Sequence, residues 1–143
     1  MTTEVPTRTQ PLVRRVTTEL PCEPQSASTA RKLVRDNLAR WELDHLDGEA
    51  ALIVTELVSN AARISSGRST MRVDIARVTN RRRQAVRISV RDGSRVLPVL
   101  VLAGHEAESG RGLFLVDNLA ALWGIELDPY GKTMWADISV EQR

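Results

Sequence analysis

The chain has little of several things. Of its 143 residues one is cysteine, two are histidine, two are lysine and five are aromatic. A single cysteine, Cys22, excludes an internal disulfide, and with His45 and His105 far apart in the chain it offers no metal-ligand spacing. So few aromatic rings do not make a stacking surface for single-stranded nucleic acid. No apolar run reaches the roughly 20 residues that a membrane-spanning helix needs. The opening stretch, MTTEVPTRTQPLVRR, lacks the apolar centre of a secretory signal, so the expected location is the cytoplasm, with no membrane partner.

What is present is arginine and enough apolar sequence for a core. A 42% hydrophobic share over this length fits one domain, expected over residues 11–143, with residues 1–10 as a loose polar tail. The net charge of +2 hides an uneven distribution. Between Arg63 and Arg95 ten arginines stand against Asp74 and Asp92, a local +8, which leaves −6 on the remainder. One face should be strongly positive. Because the densest part, Arg81-Arg82-Arg83, falls where a hairpin tip is expected, a solvated loop or an acidic protein partner is favoured over nucleic acid.

Periodicity orders the elements. Residues 12–20 have strand-forming content ended by Pro21. A first helix follows, capped by Ser26 or Ser28, with Ala30, Leu33, Val34, Leu38 and Trp41 at helical spacing. Asp47 caps a second helix that runs to about Ile64. Met71, Val73 and Ile75 alternate with polar residues, as do Val86, Ile88 and Val90, and Asn80 to Arg83 connect these two antiparallel strands. A third helix begins near Gly112, and its apolar residues Leu113, Phe114, Leu115, Val116, Leu119 and Leu122 run nearly all the way round, which predicts burial. A last hairpin turns at Asp128-Pro129-Tyr130-Gly131. The order β-α-α-β-β-α-β-β predicts an α+β two-layer sandwich: a mostly antiparallel sheet with helices on one face, the other meeting water or a partner.

Three motifs bear on chemistry. In the second helix, which contains TELVSNAARI, Ala50, Ile53, Val54, Leu57, Ala61 and Ile64 form an apolar stripe with Glu56, Asn60 and Arg63 beside it. An Asn oxygen at the stripe margin suits magnesium, which takes few protein ligands besides phosphate and water. Glu56, one turn away, suits a base. Both are equally at home as polar residues on an amphipathic helix. In VRDGSRVLP, Asp92 leaves a strand where Gly93 and Ser94 let the backbone turn. A partly buried carboxylate there needs a donor, such as the exocyclic amine of adenine, unless this is a plain Asp-Gly turn. In ESGRGLFLVDNLAALWG, Gly110 and Gly112 let backbone amides approach an anion at a helix entrance, with Arg111 to reach a phosphate, or else they only turn the chain. The stretch is neither a Walker A loop nor a dinucleotide fingerprint.

Taken together and in this order, TELVSNAAR, DGSRVLP, ESGRGLFLVDNLAALWG and GKTMWADI resemble the N box, two glycine boxes and closing strand of the GHKL ATPase and kinase superfamily, which has the Bergerat ATP-binding fold. Within it they are most similar to the small anti-sigma factor serine kinases and their histidine kinase-like ATPase relatives, over residues 12–140. The resemblance implies ATP and Mg2+ as cofactors and a nucleotide site made of Asn60, Arg63, Asp92, Ser94, Gly110, Arg111, Gly112, Leu113 and Thr133. Asn60 would ligate the metal and Glu56 would be the catalytic carboxylate. Asp92 would recognise adenine with help from Thr133, and Gly110, Arg111 and Gly112 would hold phosphates at the end of a lid over residues 99–111. The implied activity is a serine/threonine protein kinase acting on a small anti-anti-sigma protein, with a sigma factor as the alternative partner and a homodimer as the common assembly. The alternative is a non-catalytic ATP-binding module that regulates a partner by sequestration. Two departures stand out: Ile64 replaces the histidine common in the N box, and Ser94 and Val96 replace glycines of the wider first box.

Overall fold

A computed structural model describes residues 14–64, 69–97 and 108–141, with side chains for all of these except Ile64 and residues 108–112. The elements are β1 (Arg15–Pro21), α1 (Ser26–Arg40), a short 3-10 turn (Asp44–Leu46), α2 (Asp47–Ile64), β2 (Thr70–Asn80), β3 (Arg83–Asp92), α3 (Glu108–Leu119), β4 (Leu122–Asp128) and β5 (Gly131–Ser139). The strands form one antiparallel sheet in the order β1-β2-β3-β5-β4. Apart from the 3-10 turn this is the expected order of elements, and the α+β class is as expected.

Strand alternation sorts the side chains onto two faces. Met71, Val73 and Ile75 of β2, Val86, Ile88 and Val90 of β3, and Met134, Ala136 and Ile138 of β5 are all buried against the helices. From above they meet Ala30, Val34 and Leu38 of α1, Ile53, Val54, Leu57, Val58 and Ala61 of α2, and Leu113 and Val116 of α3. Each such side chain removed from water contributes about 1.5–3 kcal/mol. The second helix is apolar enough to be buried on more than the expected stripe, since Val58 is fully enclosed. Cys22 belongs to the same core.

The β2–β3 hairpin closes through Arg81 and Arg82, both exposed and both at positive φ (53° and 67°). This is the two-residue connection that fits the twist of paired strands, made here without glycine.

Three local expectations change. No side chain caps α1. Gln25 occupies the cap position, and the Ser26 hydroxyl instead donates to the Pro21 carbonyl at 2.6 Å, tying the helix to the end of β1. Asp47 does not cap α2 but is its first residue, with helical angles continuing from the 3-10 turn, so its charge favours the helix through the dipole. The third helix starts at Glu108, not near Gly112, and it is not buried all round. Leu113 and Val116 face the core, Phe114 is exposed, and Leu122 lies exposed in β4. The apolar run crosses a helix–strand boundary after Leu119, where the Ala121 amide donates to the Asp137 carbonyl at 2.8 Å, so one helical period cannot describe it.

Candidate nucleotide site

The topology brings the three motifs to one end of the sheet. The register pairs Asp92 at the end of β3 with Lys132 at the start of β5, and it puts the beginning of β2 at the same end. Six positions separate Ile64 from Thr70, so the last turns of α2, which carry Asn60, lie at this end too. α3 runs into β4 within three residues, and β4 begins opposite Asp137 at the far end of the sheet. The amino end of α3 therefore points back toward Asp92.

Asn60 is 4% exposed, deeper than the stripe margin where its spacing placed it. Its Oδ1 is buried without a hydrogen-bond donor among the described residues. A buried amide oxygen left in this state costs about 1–3 kcal/mol, which a ligand supplying a cation or donor would recover. Glu56, one turn earlier, is half-buried and makes no hydrogen bond or ion pair with a described residue. Arg63 is exposed and likewise makes no described contact with the site.

Asp92 is 2% exposed, and its expected need for a donor is met inside the chain. Lys132 Nζ, 0% exposed, donates to both carboxylate oxygens at 3.0 Å and to the Ser94 carbonyl at 3.3 Å. The Ser94 amide donates to Asp92 Oδ1 at 2.7 Å, and the Ser94 hydroxyl accepts from the Val96 amide at 3.1 Å. Ser94 thus shapes the turn that leaves β3. The strand itself runs one residue further than expected, through Asp92.

Two placements depart from expectation. Thr133 is not beside Asp92. It pairs with Arg91 and lines the opposite, uncovered face of the sheet with Glu126 and Trp135. The face of Asp92 belongs to Lys132, and the alternation in GKTMWADI carried that signal: Met134, Ala136 and Ile138 set the core register, so Lys132 points inward and Thr133 outward. Leu113 is 4% exposed, a core residue of α3.

The glycines also change roles. Gly93 has neither a positive φ nor a close neighbour, since a Cβ there would approach nothing nearer than the Tyr130 carbonyl at 3.9 Å. At Gly131 a Cβ would sit 2.1 Å from the Asp92 carbonyl oxygen, so glycine is required for β5 to start this close to the end of β3. Gly110 and Gly112 lie within α3, which begins at Glu108, so the amides of residues 108–110 have no intrahelical acceptor. The amide of Gly110 is therefore open to an anion, while those of Arg111, Gly112 and Leu113 belong to the helix. Of the expected lid, residues 99–107 lie outside the described residues.

The uncovered face carries a different chemistry. Asp74 accepts from Arg15 and Thr17, Asp137 from Arg87 at 2.6 and 2.9 Å, and Asp128 from Arg91 at 2.8 and 2.9 Å. The hydrogen bond to Asp137 raises the Arg87 pKa, and this guanidinium also lies 4.1 Å from the Trp135 ring centroid. The Tyr130 amide, followed by Arg91, holds Asp128 below its ordinary pKa of 3.8. A groove of about 310 Å3 runs along this face, and a cavity of about 600 Å3 opens beside His45, Glu49 and Asn118 at the far end. Neither is lined by Asn60 or Asp92.

Among the described residues no helix is long and apolar enough to cross a membrane. No curated protein matches the chain. The family model described as "Histidine kinase-like ATPase domain" matches residues 20–137, from the end of β1 to the end of β5, taking in all three motifs. With an antiparallel sheet, helices on one face and these motifs gathered at one end, the chain belongs to the histidine kinase-like ATPase domain family.

Proposed function

We propose that this protein binds ATP with Mg2+ at the Asn60–Asp92 end of the sheet and transfers the γ-phosphate to a serine or threonine of a small anti-anti-sigma protein. The observation that carries the reading is the buried Asn60 Oδ1, without a donor among the described residues, at the same end as Asp92 and the amino end of α3. A magnesium ion takes such an oxygen together with phosphate oxygens and waters, and when bound it neutralises charge on the phosphates. Asp92 Oδ2 is an acceptor for the adenine amine. The first-turn amides of α3 favour the phosphate charge, and Glu56 orients the attacking hydroxyl and takes its proton.

Calorimetric titration tests the binding. ATP should bind with magnesium, and Asn60→Ala should weaken the magnesium-dependent affinity by about tenfold, the effect of one ligand oxygen worth ~1.4 kcal/mol. Absence of ATP binding at millimolar concentration overturns the reading. A second reading, a module that holds ATP without transferring phosphate and regulates its partner by sequestration, is favoured by the lack of any described group that orients Glu56. Phosphate transfer to anti-anti-sigma proteins separates the two. A kinase loses transfer in Glu56→Ala while keeping nucleotide, and a sequestering module shows none to lose.

A further inference from the structure

The chain has two lysines among twenty basic residues, and one of them is enclosed at the candidate site. Enclosing an ammonium and a carboxylate together costs desolvation that their attraction only roughly repays, so such a pair is weak as a source of stability. Its placement matters more. Lys132 spends all three of its hydrogens at once, two on Asp92 and one on the Ser94 carbonyl, and has none left for a ligand. It therefore acts through Asp92.

The lone pairs of Asp92 can be counted. Oδ1 accepts from Lys132 and from the Ser94 amide, which fills it. Oδ2 accepts from Lys132 alone and keeps one open site. A carboxylate with both oxygens open would grip the adjacent ring N–H and exocyclic amine of guanine with two parallel hydrogen bonds. With a single open acceptor it matches the lone amine of adenine and cannot form the double contact.

We infer that Lys132 is a specificity-determining positioning residue that leaves Asp92 one open acceptor and so selects an adenine over a guanine nucleotide. This rests on the reading of this end of the sheet as an ATP site. The test is the ratio of ATP to GTP affinity, with magnesium, for the full chain and for Lys132→Met, alongside circular dichroism as a check on folding.

The wild-type chain should prefer ATP, and Lys132→Met, with acceptor sites released on Asp92, should narrow the ratio by about tenfold, the worth of one added hydrogen bond. A purely structural lysine would weaken both nucleotides in parallel and leave the ratio within about twofold, and that result overturns the inference while ATP binding stands. Should Lys132→Met not fold, Lys132→Gln carries the same comparison, because its amide still donates once to Asp92 and frees one acceptor site. A wild-type chain that binds neither nucleotide overturns the inference together with the ATP reading, and one that binds both equally overturns the inference alone.

Discussion

The two faces of the sheet handle charge differently. Beneath the helices the strands hold one ion pair among the described residues, Asp92–Lys132, with both side chains at or below 2% exposure. On the uncovered face the same strands carry Arg15–Asp74, Arg87–Asp137 and Arg91–Asp128, and in each of these pairs the arginine keeps 29% or more of its side chain in water. Neither partner of the first pair has an exposed side chain of its own to open a route to solvent. The others have one, since removing the arginine opens its aspartate to water. Charge on the open face is paired at the surface of the sheet, and charge on the covered face is an enclosed pair at the end of β3 where β5 begins.

The largest effect expected from this difference comes from breaking one pair on each face. Asp92→Ala strands an ammonium in the core and should cost about 3–5 kcal/mol, whereas Arg87→Ala leaves a carboxylate that water can reach and should cost about 1–2 kcal/mol. Urea denaturation of the two variants measures both. Equal losses would mean that the faces do not differ as described.

Next in size is the contrast between two glycines at the junction of β3 and β5. Gly131→Ala forces a Cβ onto the Asp92 carbonyl and should cost about 2–3 kcal/mol, in the range of overpacked cores. Gly93→Ala meets only an ordinary van der Waals contact and should stay within about 0.5 kcal/mol. Thermal melts of the pair sharpen the comparison, and a harmless Gly131→Ala would show that the strands do not approach so closely.

The smallest effect is a dependence on pH on the open face. Asp128 has a folded-state pKa below its ordinary 3.8, first through the Tyr130 amide and then through Arg91. Its contribution is thus complete above 3.8 and fades as the pH falls below that value. Wild type should melt slightly above Asp128→Asn at neutral pH, with the gap closing in acid. A gap that widens in acid would reverse the sign and remove the assignment.

Much of this was legible in the sequence because it depends on local period. The β2–β3 hairpin, the stripe of α2 and the turn after Asp128 follow from alternation, helical spacing and turn residues within a few positions of one another. The errors lie where one period meets another or where two distant segments touch. The apolar run from Leu113 to Leu122 reads as one helix until the chain turns into β4. The resemblance implies that Thr133 helps Asp92, although the alternation of its own strand puts it on the other face. The sequence does not show the donor for Asp92, because Lys132 is 40 positions away and only strand register brings it there.

By itself the sequence determined the elements, their order, the layered class and the three motifs, since each rests on residues close in the chain. The tertiary structure alone decided that these motifs share one end of the sheet, that Asn60 Oδ1 is enclosed without a donor among the described residues, and that Lys132 occupies Asp92. Those are facts of register and of burial against other segments. Such contacts form between residues whose separation along the chain carries no period.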